Sequence, residues 1–157
     1  MNRSDLKDAL ENQNVQAFLK AIRLGEGTSD EAGYNRIVGG QTFSDDSIHP
    51  HIKVYIKKYD VWSTAAGAYQ ITFPTWTGLC RQYGFIDFTP ESQDEAAVAL
   101  IAEKHALEDI IAGDLRSAVD KCSATWASLP GSTAGQRTED FEAVKQVYLS
   151  NGGTLNV

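Results

Sequence analysis

A glutamate stands between two glycines at Gly25-Glu26-Gly27, directly after an amphipathic stretch. That arrangement makes Glu26 a candidate general acid. Glycines carry no side chain and leave room for a ligand to come close. The C-terminal end of a helix holds partial negative charge, which disfavours a neighbouring carboxylate anion. An apolar cleft wall disfavours the charge further. A carboxyl still protonated near neutral pH is what a general acid requires. The competing reading is a solvated glutamate after a helix end.

A second stretch, Ser63-Thr64-Ala65-Ala66-Gly67-Ala68-Tyr69-Gln70, suits a cleft wall. Small side chains let a polymer lie against the backbone. The Gln70 amide donates and accepts, which suits sugar hydroxyls and acetamido groups. Tyr69 offers a stacking face and a hydroxyl. The alternative is a tight turn feeding a core helix. His49 reads either as a sugar contact or as a surface-loop histidine. Asp45 and Asp46 read as turn caps, or as a second carboxylate. Trp76 and Trp126 sit at helical apolar spacing, which favours core packing over sugar stacking. Lys57-Lys58 reads as a solvated pair, or as a contact for an acidic group such as a phosphate. Gln136 lies in the Gly131–Gln136 loop and could close over the cleft. Cys80 and Cys122 have neither a metal-ligand spacing nor a disulfide framework, so no metal is expected and both read as half-buried thiols.

Several elements must position these groups. Val15, Phe18, Leu19 and Ile22 fall on one helix face, with Asn14 as its expected cap and Gly25 or Gly27 as its end. A short helical turn precedes it at Asp5 to Leu10. Ile37 to Phe43 reads as two short strands joined at Gly39-Gly40, and Val54 and Ile56 mark a third. Pro74 opens a helix that Gly84 stops. Thr89-Pro90 open the next, predicted to run towards Gly113. Asp114 caps another holding Leu115, Ala118, Val119 and Cys122. Thr138 is the expected cap of a last helix carrying Phe141, Val144 and Tyr148. The order is helix, small sheet, several helices, which is α+β with segregated elements.

Composition sets the bounds. The chain has 157 residues, a net charge of −7, 42% hydrophobic and 22% charged residues. That length suits one domain with its own core, and the composition is that of a folded protein. No apolar run approaches the ~20 residues of a membrane helix, so no membrane insertion is expected. The N-terminus carries no apolar signal-peptide core. The acidic balance argues against a general nucleic-acid binder.

Set side by side, the motifs form a pattern. They are Glu26-Gly27-Thr28, Gly33-Tyr34, Ile37-Val38-Gly39-Gly40, Phe43-Ser44-Asp45, His49-Pro50, and Ser63-Thr64 with Gly67 and Tyr69-Gln70. Further on come Ser92-Gln93-Asp94, and Cys122-Ser123 with Trp126-Ala127-Ser128-Leu129-Pro130-Gly131. In order and approximate spacing, from about residue 15 to the end, the chain resembles the lysozymes (endolysins) of lambdoid bacteriophages.

The resemblance implies one lysozyme-like domain over residues 1–157, mostly helical, with a small antiparallel sheet beside a catalytic cleft and residues 1–13 as an extension. It implies a lytic transglycosylase acting on the β-1,4 bond between N-acetylmuramic acid and N-acetylglucosamine in peptidoglycan. Glu26 would be the catalytic carboxyl, with no cofactor. Asn35, His49, Ser63, Thr64, Gly67, Tyr69, Gln70 and Gln136 would contact substrate. It implies a monomer that collects in the host cytoplasm and depends on a membrane-permeabilising holin for release. Three departures stand out. Asn35 occupies a position where relatives carry Asp, Gly25 one where a relative carries Ser, and Ala134 one where relatives carry an aromatic. Asn35 cannot act as nucleophile or base, which suits a mechanism with one carboxylate. The alternatives are a hydrolytic muramidase using Asp45 or Asp46, and an inactive glycan-binding protein.

Overall fold

The computed structural model describes residues 1–131 and 140–156. Helix α1 (Arg3–Leu10) is closed at its start by a reciprocal cap. The Asn2 side chain accepts from the Asp5 N–H, and the Asp5 carboxylate accepts from the Asn2 N–H. Leu6 is fully buried. Arg3 reaches α4 (Pro90–Glu103) and pairs with the buried Glu95 at 3.3 Å. The N-terminal extension therefore completes the core. Leu6→Ala should cost about 2–5 kcal/mol of stability in urea denaturation, while the rate of the folded protein stays unchanged.

Helix α2 (Gln13–Glu26) buries Val15, Phe18, Leu19 and Ile22, the face its periodicity predicts. Its cap is Asn12, whose side chain accepts from the Asn14 and Val15 N–H groups. Asn14, the expected cap, lies inside the helix. Its amide donates to the Ile110 carbonyl and its oxygen accepts from the Thr154 N–H, tying the C-terminal segment to the core. Gly27 ends the helix in the left-handed conformation at φ 71°. Glu26 is thus the last helical residue.

The sheet is smaller than expected. β1 (Val54–Ile56) pairs antiparallel with β2 (Val61–Ser63), in the register Val54–Ser63, Tyr55–Trp62 and Ile56–Val61. Ile37 to Phe43 makes the expected turn, with the Ile37 N–H donating to the Gln41 carbonyl at 2.8 Å. It forms isolated bridges rather than strands. The segment 65–67 takes its remaining backbone groups: Val38 N–H donates to Ala65, and Gly67 N–H donates to Arg36.

Helix α3 (Phe73–Tyr83) carries Pro74 in its first turn and stops at Gly84. Thr89 caps α4, accepting from the Ser92 N–H. The predicted run to Gly113 is broken after Glu103. His105 takes a left-handed φ of 58°, and a short α5 (Leu107–Ile111) follows. Asp114 caps α6 (Leu115–Cys122), and Asp140 caps α7 (Phe141–Ser150). Thr138, the expected cap, lies outside the described residues. One contiguous core holds Phe18, Ile22, Tyr69, Phe88, Ile101, Trp126 and Tyr148. Cys80 and Cys122 are free thiols. Cys122 is fully buried rather than half-buried, and burial pushes its thiol up to about 12. No helix among the described residues is long and apolar enough to cross a membrane.

Candidate active site

The end of α2 forms one wall of a cleft of about 630 Å³. The Val38–Gly40 turn, Tyr59 between the hairpin strands, Gln70, Thr125, Ala127 and Ser128 are among the residues that line the rest. Glu26 faces this space. Burial raises its carboxyl above the ordinary glutamate value, against a weaker opposing effect from Ser128. Ser128 Oγ donates to Glu26 Oε2 at 2.8 Å. The position at the C-terminal end of α2 acts in the same direction as burial. Among the described residues lining the cleft, Glu26 is the only carboxylate.

The two glycines beside Glu26 both line the cleft, and each also serves the fold. A Cβ on Gly25 would overlap Ser128 Oγ and lie 3.0 Å from Ser128 Cβ. Gly25 therefore makes room for Ser128, and Gly27 supplies the left-handed turn. Ser128→Ala removes a donor that favours the anion. Glu26 should then hold its proton to higher pH, and the alkaline limb of the activity profile should move up. Gly25→Ala should push Ser128 aside and move the limb the same way, with an overpacking cost of about 1–3 kcal/mol.

Gln70 lines the cleft, held in a left-handed conformation at φ 50°. Its amide donates to the Gly67 carbonyl at 2.8 Å. Ser63 also lines the cleft, while Thr64 lines a neighbouring cavity and accepts from the Phe73 N–H through its hydroxyl. Other expected contacts lie elsewhere. Tyr69 is 2% exposed and belongs to the core. Its hydroxyl and that of Tyr34 both donate to Asp94 Oδ1, at 2.6 and 2.8 Å. Arg23 lies over the Tyr34 ring. The Tyr69 carbonyl accepts from Trp126 Nε1–H, so both tryptophans expected in the core, Trp126 and Trp76, are found there. Tyr69 has no face left for a sugar.

Gly67 is buried beneath the wall, not on it. His49 is 3% exposed, and both ring nitrogens are occupied. Nε2–H donates to the Ile71 carbonyl at 2.8 Å, and Nδ1 accepts from the His51 N–H. Burial lowers its pKa. Neither reading of His49, sugar contact or surface histidine, survives. Asn35 is half-buried and is not among the residues lining the cleft; its carbonyl accepts from the Phe43 N–H. Asp45 caps a turn by accepting from the Ser47 N–H and hydroxyl. Neither Asp45 nor Asp46 lines the cleft. Gln136 lies outside the described residues.

Sequence reasoning missed Ser128 and Asp94 as side chains with a role. Both sit inside quoted motifs, but their partners are distant in the chain. The available signal was Gly25: a glycine inside a helix end marks a close neighbour.

A family model described as Endolysin matches residues 16–155. The chain belongs to the endolysin family. The endolysin of Escherichia phage lambda is 39% identical over 150 residues, covering 92% of this chain and 94% of the relative. The endolysin of Escherichia phage P2 is 38% identical over 157 residues, covering 90% and 94%. A solved structure of bacteriophage lambda lysozyme in complex with a chitohexasaccharide superposes with a TM-score of 0.87 at 38% identity, covering 92% of this chain and 97% of that one. A second lambda lysozyme structure gives 0.80 at 37% identity, with the same coverage. The lysozyme-like α+β architecture is thereby established. Helix α1 precedes the part of this endolysin that the family model matches.

Proposed function

We propose that the chain cleaves the β-1,4 N-acetylmuramic acid to N-acetylglucosamine bond of peptidoglycan by lytic transglycosylation, with Glu26 as its one catalytic carboxyl. Family membership supports the substrate class, as does the chitohexasaccharide held by the lambda lysozyme. One observation carries the reaction type: no second carboxylate lines the cleft among the described residues. A hydrolytic glycosidase ordinarily needs two, one as acid and one as nucleophile or base.

The reaction balances with one. The Glu26 carboxyl gives its proton to the glycosidic oxygen as the bond from that oxygen to C1 breaks. The C6 hydroxyl of the same muramic residue attacks C1 and closes a 1,6-anhydro ring. Its proton passes to the Glu26 carboxylate, which restores the acid. No water enters the product. The Ser128 hydroxyl bond holds the carboxyl in place through both transfers. Asp45, committed to its turn, offers a hydrolytic route little support. In a host cell the chain would act on the wall after release from the cytoplasm, and a holin would supply that release.

Digestion of purified murein followed by mass spectrometry of the muropeptides tests this reading. Anhydro-muramic ends are expected. Reducing muramic ends that have gained a water would overturn the transglycosylase assignment and restore the hydrolytic one. Murein left uncut would favour the glycan-binding reading.

A further inference from the structure

Beside the Glu26 cleft lies a second cavity of about 610 Å³. Ser63 and Thr72 line both, so the two spaces are adjacent. Lys53, Trp62, His51 and Phe73 line the second cavity. The His51 ring lies flat on the Phe73 ring, with centroids 3.8 Å apart and an interplanar angle of 6°. His51 takes a left-handed φ of 49°, fixed by its N–H bond to the buried His49. Strained backbone held this firmly is a feature of ligand-binding segments. Trp62 is 67% exposed.

Charge identifies the occupant. The chain carries a net −7, yet residues 48–59 contain Lys53, Lys57 and Lys58 and no Asp or Glu. Of these, Lys53 lines the cavity, and no Asp or Glu does among the described residues, so the cavity favours an anionic ligand. In a stem-bearing peptidoglycan strand the sugars are uncharged, because each muramic lactyl carboxyl is bound to its stem as an amide. Its anions are the carboxylates of the peptide stems borne on the muramic residues.

We propose that the cavity between Lys53, Trp62 and the His51–Phe73 stack receives the acidic peptide stem of the glycan strand lying in the Glu26 cleft. The proposal rests on the peptidoglycan reading above. Lys53 faces a stem carboxylate, Ser63 and Thr72 offer hydroxyls to its amide groups, and the aromatic walls cover its alanine methyls. The pocket thus favours strands that still bear stems over stripped ones.

The test reads binding, not cleavage. Wild-type protein labelled with nitrogen-15 is titrated with free L-Ala-γ-D-Glu-diaminopimelate-D-Ala peptide, with the same peptide amidated at its carboxylates, with chitohexaose, and with phosphatidylglycerol vesicles. Shifts centred on Lys53, Trp62 and Phe73 with the acidic peptide are expected. Lys53→Glu, at an exposed position, should weaken that binding about fivefold, and amidation should weaken it similarly. An equal response to the amidated peptide, no response at all, shifts of these residues with chitohexaose, or a response to vesicles alone would each overturn the proposal. Peptide binding by a protein that leaves murein uncut would refute the enzymatic reading and keep the pocket. Cut murein without peptide binding would refute the pocket alone.

Discussion

Glu26→Gln should lower murein cleavage by about 10³-fold or more, because the lost group both donates and recovers the proton. The amide keeps the shape of the carboxyl and can still accept from Ser128 Oγ. Circular dichroism and thermal unfolding should therefore show an intact fold. Stability should change in a defined direction with pH. Burial raises the folded-state pKa of Glu26 above its ordinary value of 4.5. Between those two values the folded protein holds more protons than the unfolded chain, so wild-type stability falls as pH rises through the window. Gln cannot ionise and escapes this loss. The variant should be more stable than wild type at neutral pH, and the gap should close as the pH drops below the ordinary glutamate value. Retained cleavage would place the catalyst elsewhere. A variant less stable at neutral pH would mean that the carboxylate is favoured, not penalised, by its surroundings.

The fold was legible wherever the signal was local. Val15, Phe18, Leu19 and Ile22 repeat at helical spacing and all are buried. Pro74, Thr89 and Asp114 mark helix starts because their side chains or ring geometry act within the first turn. What failed was structure set from a distance. β2 has three residues, and Val61 and Trp62 in it are exposed, so no burial alternation announces it. The break between α4 and α5 falls at His105, with neither glycine nor proline to signal it. The strands expected at 37–43 lost their partners to the 65–67 segment, a contact no local pattern encodes.

The site divides the same way. Glu26 could be named from its neighbours. Ser128, 102 positions away, could not be assigned to it. Tyr69 shows the cost of reading a segment alone: an aromatic after a run of small residues looks the same whether the run faces a cleft or lies beneath one. Asp94, 25 positions further on, decides the matter by taking the phenol into the core. Two phenols on one carboxylate oxygen, with Arg23 above Tyr34, fix the residues that lead into the cleft wall. Burial in turn holds the Asp94 carboxyl above its usual range and the Tyr34 phenol at about 12.

Gly67 separates the two accounts experimentally. If it lined the cleft, Gly67→Ala would crowd the substrate and raise KM with little effect on the fold. The structure implies the opposite. Gly67 sits at φ 83°, where a Cβ is strained against the backbone by about 1–2 kcal/mol. That Cβ would also overlap Gln93 Oε1, and would lie 2.9 Å from Gln93 Cδ and 3.0 Å from Phe88 Cζ. Gln93 cannot swing away freely. Its Oε1 accepts from the Ala68 N–H, and its amide donates to the Phe88 and Tyr34 carbonyls. Displacing it would leave buried backbone groups without partners, adding about 1–3 kcal/mol. The combined loss should be about 2–5 kcal/mol, a large part of a small domain's stability. Chemical denaturation should show that loss, and the fraction still folded at low temperature should cleave murein with wild-type KM. A variant of near wild-type stability with a raised KM would return Gly67 to the substrate-binding wall.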